Sequence, residues 1–228
     1  MKTDTNGKKA PLLPLVPDHE DTMNSGNSLS YSLRTVPTDA DSAHYKKYIR
    51  VITGSEDIRT VIQWRRNIEE VIKGLNVTEG PAQHNLLCNM TSGSAHSLFT
   101  IQAIAEATPA FELAMRNEAD PIRRKTIKDA GPIPHITHPN VLKAVNHVMT
   151  SLIPNKIVAM VKRYLRRECR KPADMKVRTY YQHLVRINMD EMPMLPPNFS
   201  SSNCLSNDEM VDILIYGCPK SWAREMDE

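Results

Sequence analysis

SEDIRTVIQWRRNIEEVIKG, residues 55–74, is the stretch that decides the fold class of this chain. Ser55 can cap the first turn of a helix, and Glu56 and Asp57 lie where the helix macrodipole favours negative charge. Gly74 can end the last turn. The apolar residues between these ends recur at helical spacing and predict an amphipathic helix: Ile58, Val61, Ile62, Ile68, Val71 and Ile72.

The composition of the whole chain also favours helices. Its 228 residues include only 8 glycines and 5% aromatic residues, which argues against glycine-turned, aromatic-rich β architectures. No run with sustained period-two alternation is evident, so we expect an all-α fold of two small helical subdomains after a disordered N-terminal arm. Further helices are predicted at 86–90, 94–107, 111–116, 121–129, 139–152, 155–169, 174–188 and 206–216, with an interruption at Pro109.

The predicted domain organisation has four parts. Residues 1–44 are proline-containing, polar and rich in Ser, Asn, Gly and Thr, which is typical of a disordered arm. Residues 45–131 form a first helical lobe and residues 140–228 a second one. Between them, residues 132–139 contain three prolines and are expected to form a stiff linker.

Several function classes are disfavoured by the motifs that we do not find. The sequence has no Gly-x-Ser-x-Gly elbow, phosphate-binding loop or dinucleotide-binding glycine motif, so we expect no enzyme, cofactor or small-molecule substrate. His135 and His138 lie among prolines without further ligands, which predicts no metal site. The longest apolar run, Ile157–Val161, is too short to cross a membrane.

The cysteines and the N-terminus indicate the compartment. The four cysteines show no Cys-x-x-Cys spacing, so we expect free thiols in a reducing compartment. The apolar stretch at residues 12–16 is interrupted by Pro14 and is too short for a signal-peptide core. Together these features predict a cytoplasmic protein without a membrane partner.

A cluster of cations at residues 162–171 is the main candidate for nucleic-acid binding. On a helix its cations would share one face opposite an apolar face, and such a face can neutralise phosphates. The alternative is an ordinary solvated face whose cations pair with acids on neighbouring helices. The six candidate residues are Lys162, Arg163, Arg166, Arg167, Arg170 and Lys171.

An ordered series of motifs runs through the second half of the chain. It comprises KRYLRR at 162–167, RKP at 170–172, VRTYY at 177–181, LPP at 195–197, LSNDE at 205–209 and GCPKSW at 217–222. This series resembles the Gag capsid region of long-terminal-repeat retrotransposons, of gypsy or copia type. The earlier half of the chain, from about residue 50, resembles it more loosely. Outside the cations, the matching positions are Tyr164, Pro172, Tyr181, Pro196, Pro197, Gly217, Pro219, Lys220, Ser221 and Trp222.

The resemblance implies a two-lobed, retroviral-capsid-like helical protein that self-associates. We expect it to form a virus-like shell that packages the RNA of a transposable element, with other copies of the chain as the main partner and RNA as a second one. The chain ends where the family commonly continues towards a zinc knuckle, so we expect a truncated form. Two alternatives stay open: a basic helical RNA-binding module, and a domesticated Gag relic that acts as a host interaction protein.

Overall fold

The computed structural model describes residues 13–15, 27–39 and 41–219. The chain divides into two compact units. The N-terminal unit consists of Thr22–Glu56 and Gln63–Leu152, and the C-terminal unit consists of Met1–Asp21, Asp57–Ile62 and Ile153–Glu228. The chain passes between the two units at several points, among them 62/63 and 152/153. The predicted linker at 132–139 is at none of these boundaries but lies inside the N-terminal unit.

The described residues are mostly helical, as the sequence predicts. The helices are α1 (Ile58–Gly74), α2 (Gly80–Asn89), α3 (Gly93–Asn117), α4 (Pro121–Ala130), α5 (His138–Leu152), α6 (Ile157–Arg167), α7 (Val177–Val185) and α8 (Asn207–Gly217). A π-helical turn at Arg186–Glu191 continues α7, and short 3₁₀ turns lie at Ile133–His135, Met192–Met194 and Ser201–Asn203.

A two-stranded antiparallel sheet corrects the all-α prediction. Strands β1 (Ser28–Arg34) and β2 (His44–Arg50) pair with Leu29 opposite Ile49. In β1 the serines alternate with Leu29, Tyr31 and Leu33, which is the period-two pattern of a strand. Leu33 is fully buried in the core of the N-terminal unit. The prediction of a disordered arm is therefore wrong for residues 28–34. Their serines gave the stretch a polar composition, although the residues between them form an apolar face.

The predicted helix starts are confirmed at two positions and corrected at a third. The Asp120 carboxylate accepts a hydrogen bond from the Ile122 N–H, and Ser206 forms a capping box with Glu209. At α1 the cap is Asp57 rather than Ser55, because one Asp57 carboxylate oxygen accepts from the N–H of Thr60 at 2.9 Å.

The predicted break at Pro109 does not occur, because α3 continues through it. Pro109 lacks the N–H that would bond the carbonyl four residues earlier. Both Pro109 and Ala105 lie on the exposed side of α3, where water can bond that carbonyl.

The core of the N-terminal unit lies among α1, α2, α3, α5 and the hairpin. The Trp64 indole N–H donates to the Met90 carbonyl at 3.1 Å, and both residues are buried. Residues 132–139 contribute Ile136 to this core. Gly80 lets α2 approach that segment, since a Cβ at position 80 would lie 2.0 Å from the Ile136 carbonyl oxygen. This packing explains why residues 132–139 belong to the unit rather than linking two lobes.

The C-terminal unit is built around α6, α7 and α8. Tyr180 on α7 is fully buried, and its hydroxyl donates to the Cys169 carbonyl at 3.4 Å. Gly217 at the end of α8 makes room for this ring, because a Cβ there would lie 2.0 Å from the Tyr180 hydroxyl oxygen. Glycine is thus required at the first position of the GCPKSW motif.

No helix within the described residues is both long and apolar enough to cross a membrane. In the same part of the chain, no group of three or more His, Cys, Asp and Glu residues is placed to hold a metal ion. His135 instead packs edge-on against Phe111, and His138 forms a hydrogen bond with Gln83 at 2.7 Å.

Candidate interaction surfaces

Helix α6 is anchored by an apolar stripe. Ile157, Val161 and Leu165 are spaced four residues apart and are buried. The helix ends at Arg167, so two of the six candidate cations, Arg170 and Lys171, lie beyond it. The predicted basic helical face is therefore shorter than the sequence indicated.

Four of the six candidate cations have partners within the C-terminal unit. Arg166 pairs with Glu209 on α8, and Arg170 stacks on Tyr216 with its guanidinium carbon 3.3 Å from the ring centre. The Lys162 ammonium donates to the Cys204 carbonyl at 3.0 Å. Lys171 donates to the backbone carbonyls of Pro172 and Met175 at 2.8 and 2.7 Å. The alternative of an intrachain-paired face thus describes these four residues.

Arg163 and Arg167 differ from the other four. Both side chains are exposed, and neither forms an ion pair or hydrogen bond with another side chain in the described part of the molecule. They are the members of the cluster that can neutralise phosphate without first breaking a side-chain contact to another described residue.

The pairing of Glu209 is reflected in its ionisation. The Ser206 backbone N–H, at 2.9 Å, and next the Arg166 guanidinium hold the pKa of the Glu209 carboxyl below its usual value. Glu209 therefore has two roles: it completes the capping box of α8, and it forms the ion pair with Arg166.

The structure places the family-motif residues in different environments. Pro196 is buried and joined to the exposed Pro197 by a cis peptide bond, while Tyr181 is 45% exposed and Pro219 is exposed. Tyr164 and Pro172 are partly buried, and Gly217 is buried. Lys220, Ser221 and Trp222 lie outside the described residues. In the VRTYY motif, the buried residue is Tyr180, whereas the residue chosen as the matching position is Tyr181.

Helix α4 in the N-terminal unit presents a second basic surface. None of its ten residues is buried, and Ile122 is 78% exposed. The last part of α3, from Thr108 to Asn117, likewise contains no buried residue and exposes 58% of Leu113. We call Ile122, Lys125 and Lys128, which are spaced three residues apart along α4, the α4 face. Within the described residues, neither Lys125 nor Lys128 has an ion-pair partner.

Helix α8 in the C-terminal unit presents an acidic surface. Its outward stripe consists of Asp208, Val211, Asp212 and Ile215, which we call the α8 face. Val211 is 51% exposed and Ile215 is 38% exposed. The α8 face thus combines two exposed aliphatic side chains with two carboxylates.

The α4 and α8 faces are complementary in charge. Helix α4 has four cations and one carboxylate, a net charge of +3, whereas α8 has three carboxylates and no cation, a net charge of −3. Both also expose aliphatic side chains. Such a combination of apolar area and opposite charge is typical of surfaces that associate.

The helix predicted at 121–129, which is α4 in the structure, was not chosen as a site from the sequence. The sequence pattern of α4 could have indicated its exposure. Ile122 and Ile127 are its only large apolar residues, and they do not form an apolar stripe that could pack against a core. A basic helix without such a stripe is a better candidate surface than one that has it.

Comparison with protein-family models, curated proteins and solved structures finds no match for this chain. The resemblance to retrotransposon Gag therefore remains a prediction from the sequence motifs.

Proposed function

We propose that this chain is a Gag-like structural protein whose copies associate into a shell around the RNA of a retrotransposon. The ordered motif series at residues 162–222 supports the family assignment, and the mostly helical, two-unit organisation is compatible with it. The observation that carries the self-association is the exposure of α4.

A helix of ten residues is marginally stable in water unless tertiary contacts support it. Helix α4 has a capped start but no buried side chain, and Ile122 is 78% exposed. A partner that covers the α4 face would therefore stabilise the helix and remove apolar surface from water.

The α8 face of another copy fits this requirement. Its two exposed aliphatic residues can pack against Ile122, and its carboxylates Asp208 and Asp212 can pair with Lys125 and Lys128. Because the two faces differ, the contact is heterologous. Each copy can bind one neighbour through its α4 face and another through its α8 face. Repetition of such contacts extends into a lattice, in which individually weak contacts add up.

We assign RNA binding to the cations that have no side-chain partner among the described residues. In the cation cluster at residues 162–171, these are Arg163 and Arg167, whose side chains are exposed. A pair of exposed arginines in every copy becomes a repeated array in a shell, so many weak phosphate contacts can hold a long RNA.

Charge reversal tests the proposed contact. Purified protein at rising concentration is followed by light scattering and negative-stain electron microscopy, with and without RNA. Lys125→Glu with Lys128→Glu, or Asp208→Lys with Asp212→Lys, should each prevent association. A chain that carries all four changes should regain it, because the two faces are complementary again.

The matched control is Arg163→Glu with Arg167→Glu, which changes the charge by the same amount on α6. This variant should still associate without RNA. If the unaltered chain stays monomeric at every concentration with and without RNA, the proposed function is wrong. If all three double variants associate equally, the α4–α8 contact is wrong.

A further inference from the structure

A short N-terminal segment is inserted into the C-terminal unit. Leu13 and Leu15 are only 1% and 5% exposed, although they lie in the predicted disordered arm and flank a proline. We call residues 13–15 the Leu-Pro-Leu segment. Its two leucines are buried at alternate positions, as in an extended chain that presents every second side chain to a surface.

Two arginines bind the backbone of this segment. Arg59 on α1 donates to the Pro14 carbonyl at 2.8 Å, and Arg186 donates to the Leu15 carbonyl at 3.0 Å. The backbone of Leu15 also forms a hydrogen bond with the Tyr164 hydroxyl. Successive polar groups of the segment are therefore recognised through the main chain.

A single buried carboxylate orients both arginines. Glu191 is 4% exposed and binds Arg59 through two bonds of 2.9 and 3.0 Å, while the Arg186 Nε lies 3.4 Å from the same carboxylate. We call Arg59, Arg186 and Glu191 the arginine clamp. It holds donor groups in place for the segment, which lowers the ordering cost of binding.

The π-helical turn at Arg186–Glu191 makes this clamp possible. In an α-helix, residues five apart lie about 140° apart around the axis and do not face each other. The wider π turn brings Arg186 and Glu191 onto one side, which permits their ion pair. Irregular turns of this kind occur frequently at functional sites.

These features together form a site for an extended Leu-x-Leu peptide. Main-chain hydrogen bonds supply affinity and the two leucine positions supply specificity, as in other modes of extended-peptide recognition. A buried ion pair contributes little net stability by itself, so the clamp is better explained by recognition than by folding alone.

We propose that this site binds the Leu-Pro-Leu segment of a second copy, so that neighbouring copies exchange their segments. Contacts made by an exchanged segment are the same as those made within one chain, so the exchange costs little. Residues 16–27 separate the segment from β1, and a fully extended tether of that length reaches about 40 Å. This inference rests on the proposed self-association, which brings copies close together.

A peptide measures the docking site. Fluorescein-labelled peptide of residues 11–16 is titrated, by fluorescence anisotropy, into the full chain carrying Leu13→Ser and Leu15→Ser. It should bind saturably, whereas a peptide in which Leu13 and Leu15 are replaced by serine should bind more weakly, by about tenfold or more for each of these two leucines. The unaltered chain should bind the peptide less well, because its own segment competes.

A variant of the receptor separates recognition from folding. Arg186→Lys in the same serine-substituted chain should weaken peptide binding by about tenfold, while circular dichroism shows that the helices are retained. If the peptide does not bind the serine-substituted chain, or if the serine-containing peptide binds equally well, the docking site is wrong.

Photo-crosslinking tests the exchange in the full chain. Val16→p-benzoylphenylalanine is introduced, the protein is irradiated at rising concentration, and mixed ¹⁴N and ¹⁵N preparations identify links between chains by mass spectrometry. We expect covalent dimers joined to residues of the C-terminal unit, and their loss when Leu13→Ser and Leu15→Ser are added. Adducts confined to one chain, or no adducts, overturn the exchange.

The two proposals fail in different ways. If light scattering shows association but every adduct lies within one chain, the exchange is wrong and the proposed function stands. If the unaltered chain remains monomeric with and without RNA, the proposed function is wrong. Peptide binding would in that case still report on the docking site within a single chain.

Discussion

The two basic helices α4 and α6 have similar cation content but different surroundings. Helix α6 has three buried aliphatic residues, and most of the cations in and just after it have partners in its own unit. Helix α4 has no buried residue, and its lysines lack ion-pair partners within the described residues. An apolar stripe fixes a helix against neighbours whose acids, carbonyls and rings then occupy its cations. Cation density alone therefore does not identify a binding surface.

The largest expected difference between the two helices concerns folding. Leu165 on α6 is fully buried, so Leu165→Ala should lower the free energy of unfolding by about 2–5 kcal/mol. Ile122→Ala on α4 should change it by less than about 0.5 kcal/mol, because that side chain is already in water. Urea denaturation followed by circular dichroism measures both. Equal losses would mean that α4 is also part of a core.

The next difference concerns local opening of the two helices. In unassociated protein, the amides of α4 should exchange with deuterium about a hundredfold faster than those of α6, since few contacts hold α4. Association should slow exchange in α4 and leave the protected amides of α6 nearly unchanged. Hydrogen-exchange mass spectrometry at low and high protein concentration provides the comparison. Unchanged exchange in α4 on association would exclude it from the contact.

A smaller effect is expected on RNA binding, where the cations of residues 162–171 should differ from one another. Arg163→Gln with Arg167→Gln should reduce the slope of log affinity for RNA against log salt by about two, one for each lost phosphate contact. Arg166→Gln with Arg170→Gln removes the same charge, but Glu209 and Tyr216 already occupy those side chains, so the slope should change little. RNA titration at several salt concentrations decides between the pairs. Equal slopes for both variants would mean that the intrachain contacts open on binding.

The helical part of the fold could be predicted because its signals are local. The apolar spacing of α1, the Asp120-Pro121 start of α4 and the Ser206–Glu209 capping box each lie within a few residues. Strand β1 was missed because its alternating serines lower the mean hydropathy of a stretch whose Leu33 is fully buried. Sequence patterns indicate which face of an element is apolar, but not always that a polar stretch contains an element.

The arginine clamp could not be predicted, because its partners are remote in sequence. Arg59 and Glu191 are 132 positions apart, and Arg186 lies 171 positions from Leu15. The pairing of Arg166 with Glu209 is similarly non-local, at 43 positions. A single sequence reveals that these cations exist, but only the packing of the elements determines which of them have partners.

The smallest predicted effect is the pH dependence of the Glu209 contacts. The pKa of Glu209 is lowered from 4.5 in the folded protein, so as pH falls below about 4.5 the unfolded state takes up the proton first. The stabilisation is therefore complete above pH 4.5, decreases as pH falls towards the folded-state pKa, and is lost below it. Because Glu209 is at the surface, its size should be below about 1 kcal/mol.

Two variants separate the contributions to this pH dependence, with urea denaturation between pH 3 and 6 as the measurement. Glu209→Gln should remove the contribution of this residue. Arg166→Gln should remove only part of it, because the Ser206 N–H still stabilises the carboxylate and is the larger cause of the lowered pKa. If Arg166→Gln abolished the pH dependence completely, the ion pair rather than the helix cap would control Glu209. The ion pair with Glu209 would then be strong enough to keep Arg166 from binding RNA phosphate at neutral pH.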